Sequence, residues 1–210
     1  MTGRNELQVT PRSPWRQSGR TTLSVTSRIR LFYLLHISKP HTDRLIYQAI
    51  DRYRVRAIVE LGMADGMRAL RMIEVASHRT PPNQVSYTGV DLFEAGSVED
   101  GRGTGITLRA AHRLLHPTGV RARLLPGDPC SVLVRTANQM GKADLLVISS
   151  GLDIKSLAEA WYYVPRMLHA RSQVFVEKTA DSTGQPAWRR LSADQVQILA
   201  SKAARLRRAA

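Results

Sequence analysis

Two carboxylates, Glu60 and Asp91, and two glycines, Gly62 and Gly66, carry the clearest chemical signal in the chain. Glu60 ends an apolar run, "RAIVELG", and the glycines bracket the residues before a helical pattern, "GMRALRMIEVA". Glycine lets a ligand approach the backbone where a Cβ would collide, and the first amides of a helix point outward as donors. A strand-to-helix turn of this kind, at the carboxyl edge of a parallel sheet, is a common place for nucleotide-like ligands. The G-x-x-x-G spacing differs from the G-x-G-x-x-G that seats a dinucleotide pyrophosphate. A carboxylate beside the turn is also a poor neighbour for a diphosphate. Glu60 suits instead a ligand that carries positive charge there. Asp91 ends a second run, "VSYTGVD", where it can accept both hydroxyls of a ribose. Each such charge-assisted bond is worth about 1.5–3 kcal/mol.

Other reactive side chains form no comparable pattern. His36, His41, His78, His112, His116 and His169 lack metal-ligand spacing, and the His112/His116 pair in "HRLLH" lacks the glutamate of a zinc protease motif. Cys130, the single cysteine, has no base near it in sequence and reads as a small buried residue. In "EAWYYVPRML", Trp161 with Leu157, Val164 and Leu168 follows core spacing, and one tyrosine of Tyr162/Tyr163 is a candidate for a substrate pocket.

The elements that must position Glu60 and Asp91 alternate along the chain. Strand candidates are 56–62, 85–91, 120–127, 143–150 and 172–178, separated by helical patterns at about 66–78, 104–115, 129–139 and 155–168. This alternation predicts an α/β fold: a Rossmann-like, doubly wound, mostly parallel sheet with helices on both faces. Before it, "HTDRLIYQAIDRY" puts Leu45, Ile46, Ala49 and Ile50 on one helical face, with Thr42 as the expected N-cap. After it, "GQPAWRRLSADQ" reads as turn and then helix, opened by a Ser192/Gln195 capping box. No sixth or seventh strand is read. The glycine-rich stretch 94–105, directly after the second strand, is expected to act as a lid. The expected organisation is a disordered basic lead-in over 1–27, the α/β domain over 28–186 with N-terminal helices, and a basic C-terminal helix over 187–210.

Length and composition fit one such domain. The chain has 210 residues, 43% of them hydrophobic, and one cysteine, which excludes an internal disulfide framework and fits a reducing, cytoplasmic setting. No apolar run approaches the roughly 18 residues that span a bilayer. The formal charge of +14 is concentrated at the ends: residues 1–30 and 187–210 each carry +5, leaving +4 for the middle. Such ends can attract nucleic acid through counterion release, although solvated tails are the simpler reading. The lead-in shares its composition with organelle transit peptides and lacks their amphipathic pattern; a misassigned start would look the same.

The run "VELGMADG", then "YTGVD", "LLPGD" and "ADLLVISSG", resembles the successive motifs of class I S-adenosylmethionine-dependent methyltransferases. The E-x-G-x-x-x-G spacing is closest to small-molecule O-methyltransferases of the catechol O-methyltransferase type, and the likeness covers about residues 42–178. It implies that Glu60, Gly62, Met63, Ala64 and Gly66 surround the methionine end of S-adenosylmethionine. Asp91 would take the ribose, with Leu92 or Phe93 beside the adenine. Asp128 would contact the adenine amino group, and is equally a candidate N-cap for "PCSVLVRTA". The family's sheet ends in two further strands, which this chain is expected to lack. Its metal-dependent members carry a carboxylate where this chain has Ser149, a poor magnesium ligand that the resemblance would instead make a cofactor-binding hydrogen-bond donor near the methionine end or the acceptor. Asp153 is the nearest acid, and a metal-dependent mechanism is not expected.

The implied function is methyl transfer from S-adenosylmethionine to an unidentified small-molecule acceptor, without a divalent metal. Asp153, Lys178 and His36 are formal candidates for a base, and the catalytic residue stays unassigned. An alternative is a catalytically inactive, methyltransferase-like module that binds the cofactor or, through its basic ends, nucleic acid.

Overall fold

A computed structural model of the chain describes residues 25–93, 105–149, 154–178 and 187–209. Most of the lead-in, the glycine-rich stretch through residue 104, and Ser150, Gly151 and Asp153 lie outside the described residues.

The five apolar runs form strands β1 (Ala57–Leu61), β2 (Ser86–Asp91), β3 (Arg121–Pro126), β4 (Ala143–Ile148) and β5 (Leu168–Lys178). They pair in parallel, in the order β3-β2-β1-β4-β5. A sixth strand, β6 (Ala187–Leu191), closes that edge antiparallel to β5, with Glu177 opposite Trp188. The expectation of a turn and a basic helix from residue 187 is therefore corrected. The strand escapes notice in the sequence because only Trp188 of "AWRRL" is buried, which leaves no alternation to read.

Helices α1 (Val25–His36), α2 (Arg44–Tyr53), α3 (Met67–Arg79) and α4 (Leu108–Leu115) cover one face of the sheet. Helices α5 (Pro129–Thr136), α6 (Ile154–Ala160) and α7 (Ala193–Ala209) cover the other. The sheet is thus wound on both sides, with a separate core under each layer. The helical pattern at 155–168 stops early, since Pro165 follows in a short 3-10 turn over Val164–Met167. Thr42 makes no side-chain cap; it lies in a 3-10 turn over His41–Asp43. The Ser192/Gln195 box forms in both directions, at 3.1 and 3.2 Å. Trp161, Leu157, Val164 and Leu168 pack together in the core beneath α5–α7.

The two-residue period of a strand decides which side chains meet. In β1, Ile58 enters the core under α1–α4, while Val59 and Leu61 enter the opposite one. Glu60 shares the face of Ile58. In β4, Leu145 and Val147 face α1–α4, which directs Ser149 the same way. Both polar residues are thereby aimed at the start of α3.

Candidate functional site

Four consecutive strand ends build the carboxyl edge. Backbone bonds extend the sheet there: Gly62 N–H to Val90 O at 2.8 Å, Gly127 N–H to Asp91 O at 2.9 Å, and Ser149 N–H to Leu61 O at 2.9 Å. Asp128, Asp91, Glu60 and Ser149 consequently stand at the ends of neighbouring strands. The turn between β1 and α3 needs left-handed backbone at three places, with φ of 83° at Gly62, 52° at Ala64 and 78° at Gly66. Asp91 holds this turn. Its Oδ2 accepts from Met63 N (2.5 Å) and Ala64 N (3.1 Å), and its Oδ1 accepts from Leu92 N (2.7 Å). The second acid of the sequence motif is therefore the anchor of the glycine turn. Asp128 caps α5, its Oδ2 accepting from Ser131 N at 2.9 Å.

Gly66 is required by packing as well as by its left-handed backbone. A Cβ there would lie 2.8 Å from Leu114 Cδ2, 3.2 Å from Met63 Cε and 3.4 Å from Ile106 Cδ1. The space beside it holds side chains. Met63 itself is fully buried. Gly66→Val should cost about 1–3 kcal/mol through overpacking and left-handed strain, read as a lower melting temperature whether or not a ligand is present.

Glu60 is fully buried, and both its oxygens are taken. Arg68 Nε donates to Oε1 at 2.7 Å, and the buried Tyr87 hydroxyl donates to Oε2 at 2.5 Å. The Arg68 guanidinium also donates through Nη2 to Gly62 O (3.0 Å) and Ser149 Oγ (2.5 Å), and its Cζ lies 4.8 Å from the Trp188 ring centroid. Ser149 Oγ in turn donates to Gly62 O at 2.9 Å. The positive charge expected of a ligand at Glu60 is supplied by the chain's own arginine. No motif marks Arg68; the available signal is that it is the one cation within eight residues after Glu60.

Asp43 completes the cluster from α2's entry. It is buried, accepts from Trp188 Nε1 at 2.8 Å and from the Tyr47 hydroxyl at 3.4 Å, and contributes to the field around Arg68. Burial disfavours the charged guanidinium, but Glu60, Asp43 and Glu177 outweigh it and hold the Arg68 proton more firmly than usual. Burial pushes Glu60 above the ordinary carboxylate range, against the pull of Arg68 and Tyr87. Asp43 is raised as well, by burial first and in spite of Trp188 and Arg68.

These raised values set a sign for stability. The folded chain holds a proton on Asp43 more tightly than the unfolded chain does, so protonation favours folding. The associated stability is present below the ordinary aspartate pKa of about 4 and is lost as pH rises through the elevated folded value. Asp43→Asn keeps an acceptor for Trp188 and removes the titration. The melting temperature of the variant relative to wild type should therefore climb across that acidic window. A constant difference at every pH would show that Asp43 does not titrate there.

The candidate bases are scattered. His36 packs its ring 4.8 Å from Phe32 on α1, and Lys178 ends β5 exposed. Burial, followed by Glu159, pushes the Cys130 thiol up, away from nucleophilic use. His112 and His116 are exposed on one side of α4's end.

No family model and no curated protein sequence matches the chain. Solved structures do share its fold. The O-methyltransferase TomG from Streptomyces achromogenes, in complex with SAM, aligns with a TM-score of 0.51 at 12% identity, over 75% of this chain and 67% of that one. Cofactor-bound Rv0187 from MTB aligns at 0.53 and 13%, over 89% and 79%. The O-methyltransferase from Bacillus cereus in complex with SAH aligns at 0.50 and 11%, over 86% and 78%. Among the described residues, no helix is long and apolar enough to cross a membrane. At these identities the likeness is one of architecture: the chain has the Rossmann-like fold of S-adenosylmethionine-dependent O-methyltransferases.

Proposed function

We propose that the chain is an S-adenosylmethionine-dependent methyltransferase that acts on a small-molecule acceptor without a divalent metal. The observation that carries this reading is Asp91: an acid at the end of β2 that also ties down the Gly62–Gly66 turn at the end of β1. In a methyltransferase fold, that junction is where an adenosine would present its ribose. Asp91 Oδ2 is filled by the two turn amides, whereas Oδ1 accepts from Leu92 N and keeps one acceptor site for a ribose hydroxyl. Leu92 and Asp128 stand beside it for the adenine. The adenosine half of the cofactor therefore fits the residues present.

The methionine half fits a revised set. Glu60 is fully buried and bonded to Arg68 and Tyr87, away from any ammonium group, whereas Arg68, at the start of α3, suits the ligand's carboxylate. Glu60 and Tyr87 then act as positioning residues, through Arg68. S-adenosylmethionine supplies an electrophilic methyl group, so the protein's main task is alignment of the acceptor, which can contribute roughly 7–11 kcal/mol.

Metal independence rests on Arg68 as well. A magnesium ion at the end of β4 would need negative ligands, and Ser149 there accepts a hydrogen bond from a guanidinium. Calorimetry with S-adenosylmethionine, its demethylated product and NAD tests the cofactor; binding of NAD alone would sink the proposal. Transfer of labelled methyl to a panel of hydroxyl and amine acceptors should be unaffected by EDTA. Turnover that disappears with the chelator and returns with magnesium would reverse the metal assignment, and loss of that rescue in Asp153→Asn would identify the ligand.

A second reading, a cofactor-binding module without transfer activity, is favoured by the locked Glu60. Binding of both cofactor and product with no transfer to any acceptor would support it.

A further inference from the structure

We propose that the amino edge of the sheet, opposite the candidate cofactor site, is a docking surface for single-stranded nucleic acid, gripped through its phosphates. A cleft of about 570 Å³ opens there, lined by Arg52, Tyr53, Arg54, Arg56, Asp144 and Arg171, with His169 at its side. The four arginines are exposed, and none pairs with a described carboxylate.

The acids nearby are already engaged. Asp51 pairs with Arg79 at 2.6 Å. Asp144 spends Oδ2 on the backbone N–H groups of Arg56 and Ala57, at 2.8 and 2.9 Å, and Oδ1 on His169 Nε2 at 2.9 Å. Asp144 keeps its charge but has both oxygens committed to the backbone and His169, so the cleft carries four arginines against one acid. Arginine holds its charge at every physiological pH and offers a planar fork that matches phosphate oxygens.

The topology arranges these cations in a row. Arg56 stands at the entry of β1 and Arg171 in β5, with β4 between them. Strands about 4.8 Å apart set the two entry points roughly 10 Å from each other, room for more than one phosphate. Tyr53 extends the row. Its ring lies 5.6 Å from Arg52 Cζ and 5.3 Å from Arg190 Cζ, and Arg190 Nη1 donates to its hydroxyl at 3.2 Å. Two guanidiniums are held in place before any partner arrives, which lowers the entropy lost on binding.

A bilayer, being flat, cannot follow a cleft whose apolar lining is one tyrosine. The backbone of a single strand can enter it. Charge at the two ends of the chain is the competing source of affinity, so the test separates them.

Anisotropy of a labelled oligo(dT) is measured against salt for the full chain, for Arg56→Glu/Arg171→Glu, and for the equally charged control Arg205→Glu/Arg208→Glu on α7. The cleft variant should bind at least about tenfold more weakly, and its log K against log salt slope should shrink by about 0.7 for each phosphate that is no longer neutralised. The control should keep most of the wild-type affinity and slope. Equal losses in the two variants, or no binding by wild type, would overturn the proposal. So would competition by a poly-glutamate peptide as effective as by unlabelled oligo(dT), which would reassign the surface to acidic protein segments. Tyr53→Leu, with the cationic side chains intact, should weaken binding without changing the slope, since it alters only how Arg52 and Arg190 are held. An unchanged melting temperature in each variant keeps the comparison on binding.

Discussion

Arg68→Ala should lower the melting temperature by on the order of 10 °C, the largest stability effect expected of any exchange at the carboxyl edge. Removing the guanidinium leaves Glu60, which has no exposed surface, without its cation. Loss of one partner from a buried pair costs about 3–5 kcal/mol, and a chain of this size loses about 2–4 °C per kcal/mol. Ser149 Oγ loses its donor and Gly62 O one of two in the same step, and Trp188 loses the cation over its ring. The diagnostic partner is Glu60→Gln. It keeps an acceptor for Tyr87 and removes the buried charge, so Arg68→Ala/Glu60→Gln should recover part of the loss. Thermal unfolding of the two single variants and the double variant gives the coupling directly. Strictly additive losses would mean that Glu60 and Arg68 do not act as a pair.

Asp91→Ala should weaken S-adenosylmethionine binding by about 10- to 100-fold, equivalent to roughly 1.4–2.7 kcal/mol. Two losses combine. The ribose loses an acceptor for its hydroxyls, and the turn loses the bonds from Met63 N and Ala64 N that hold its left-handed residues in place. Adenosine separates the contributions from the methionine end: its affinity should fall by a similar factor, because the contact belongs to the nucleoside half. Asp91→Asn, which retains an acceptor oxygen for the turn, should bind with intermediate affinity. Undiminished affinity for S-adenosylmethionine in Asp91→Ala would place the cofactor elsewhere, and a loss for S-adenosylmethionine without one for adenosine would move Asp91 to the methionine side.

Strands β1 and β4 are legible in the sequence because they are buried on both faces and read as short apolar runs, whereas edge strand β3, which buries only Leu124, is legible from its place between two helical patterns. The carboxyl-edge turn is legible for a related reason: left-handed backbone at Gly62 and Gly66 requires glycine, and glycine is visible. The environment of Glu60 is not legible. Its partners, Tyr87 and Arg68, sit in segments that look like ordinary strand and helix, and only the two-residue period of the folded strands brings them to one point. β6 is hidden for the opposite reason, since an edge strand with exposed Arg189 and Arg190 shows neither a run nor an alternation. Asp43 is equally hidden. In sequence it is the helix-start acid of "HTDRL", and in the structure its carboxylate is committed to Trp188.

The contact between Trp188 and Asp43 joins residues 145 positions apart. A chain emerging from the ribosome therefore has Glu60, the glycine turn and Arg68 synthesised long before the indole that covers Arg68 exists. Nascent chains fold from the N-terminal side as they emerge, and here the cradle around the guanidinium stays open on one side until β6 has been synthesised. Ribosome-bound intermediates stalled before residue 187 would carry the first half of the ligand site with its arginine uncovered. Covering of Arg68 thus reports synthesis of β6, and a nascent product that ends short of β6 is left with an exposed cation beside an unfinished sheet edge.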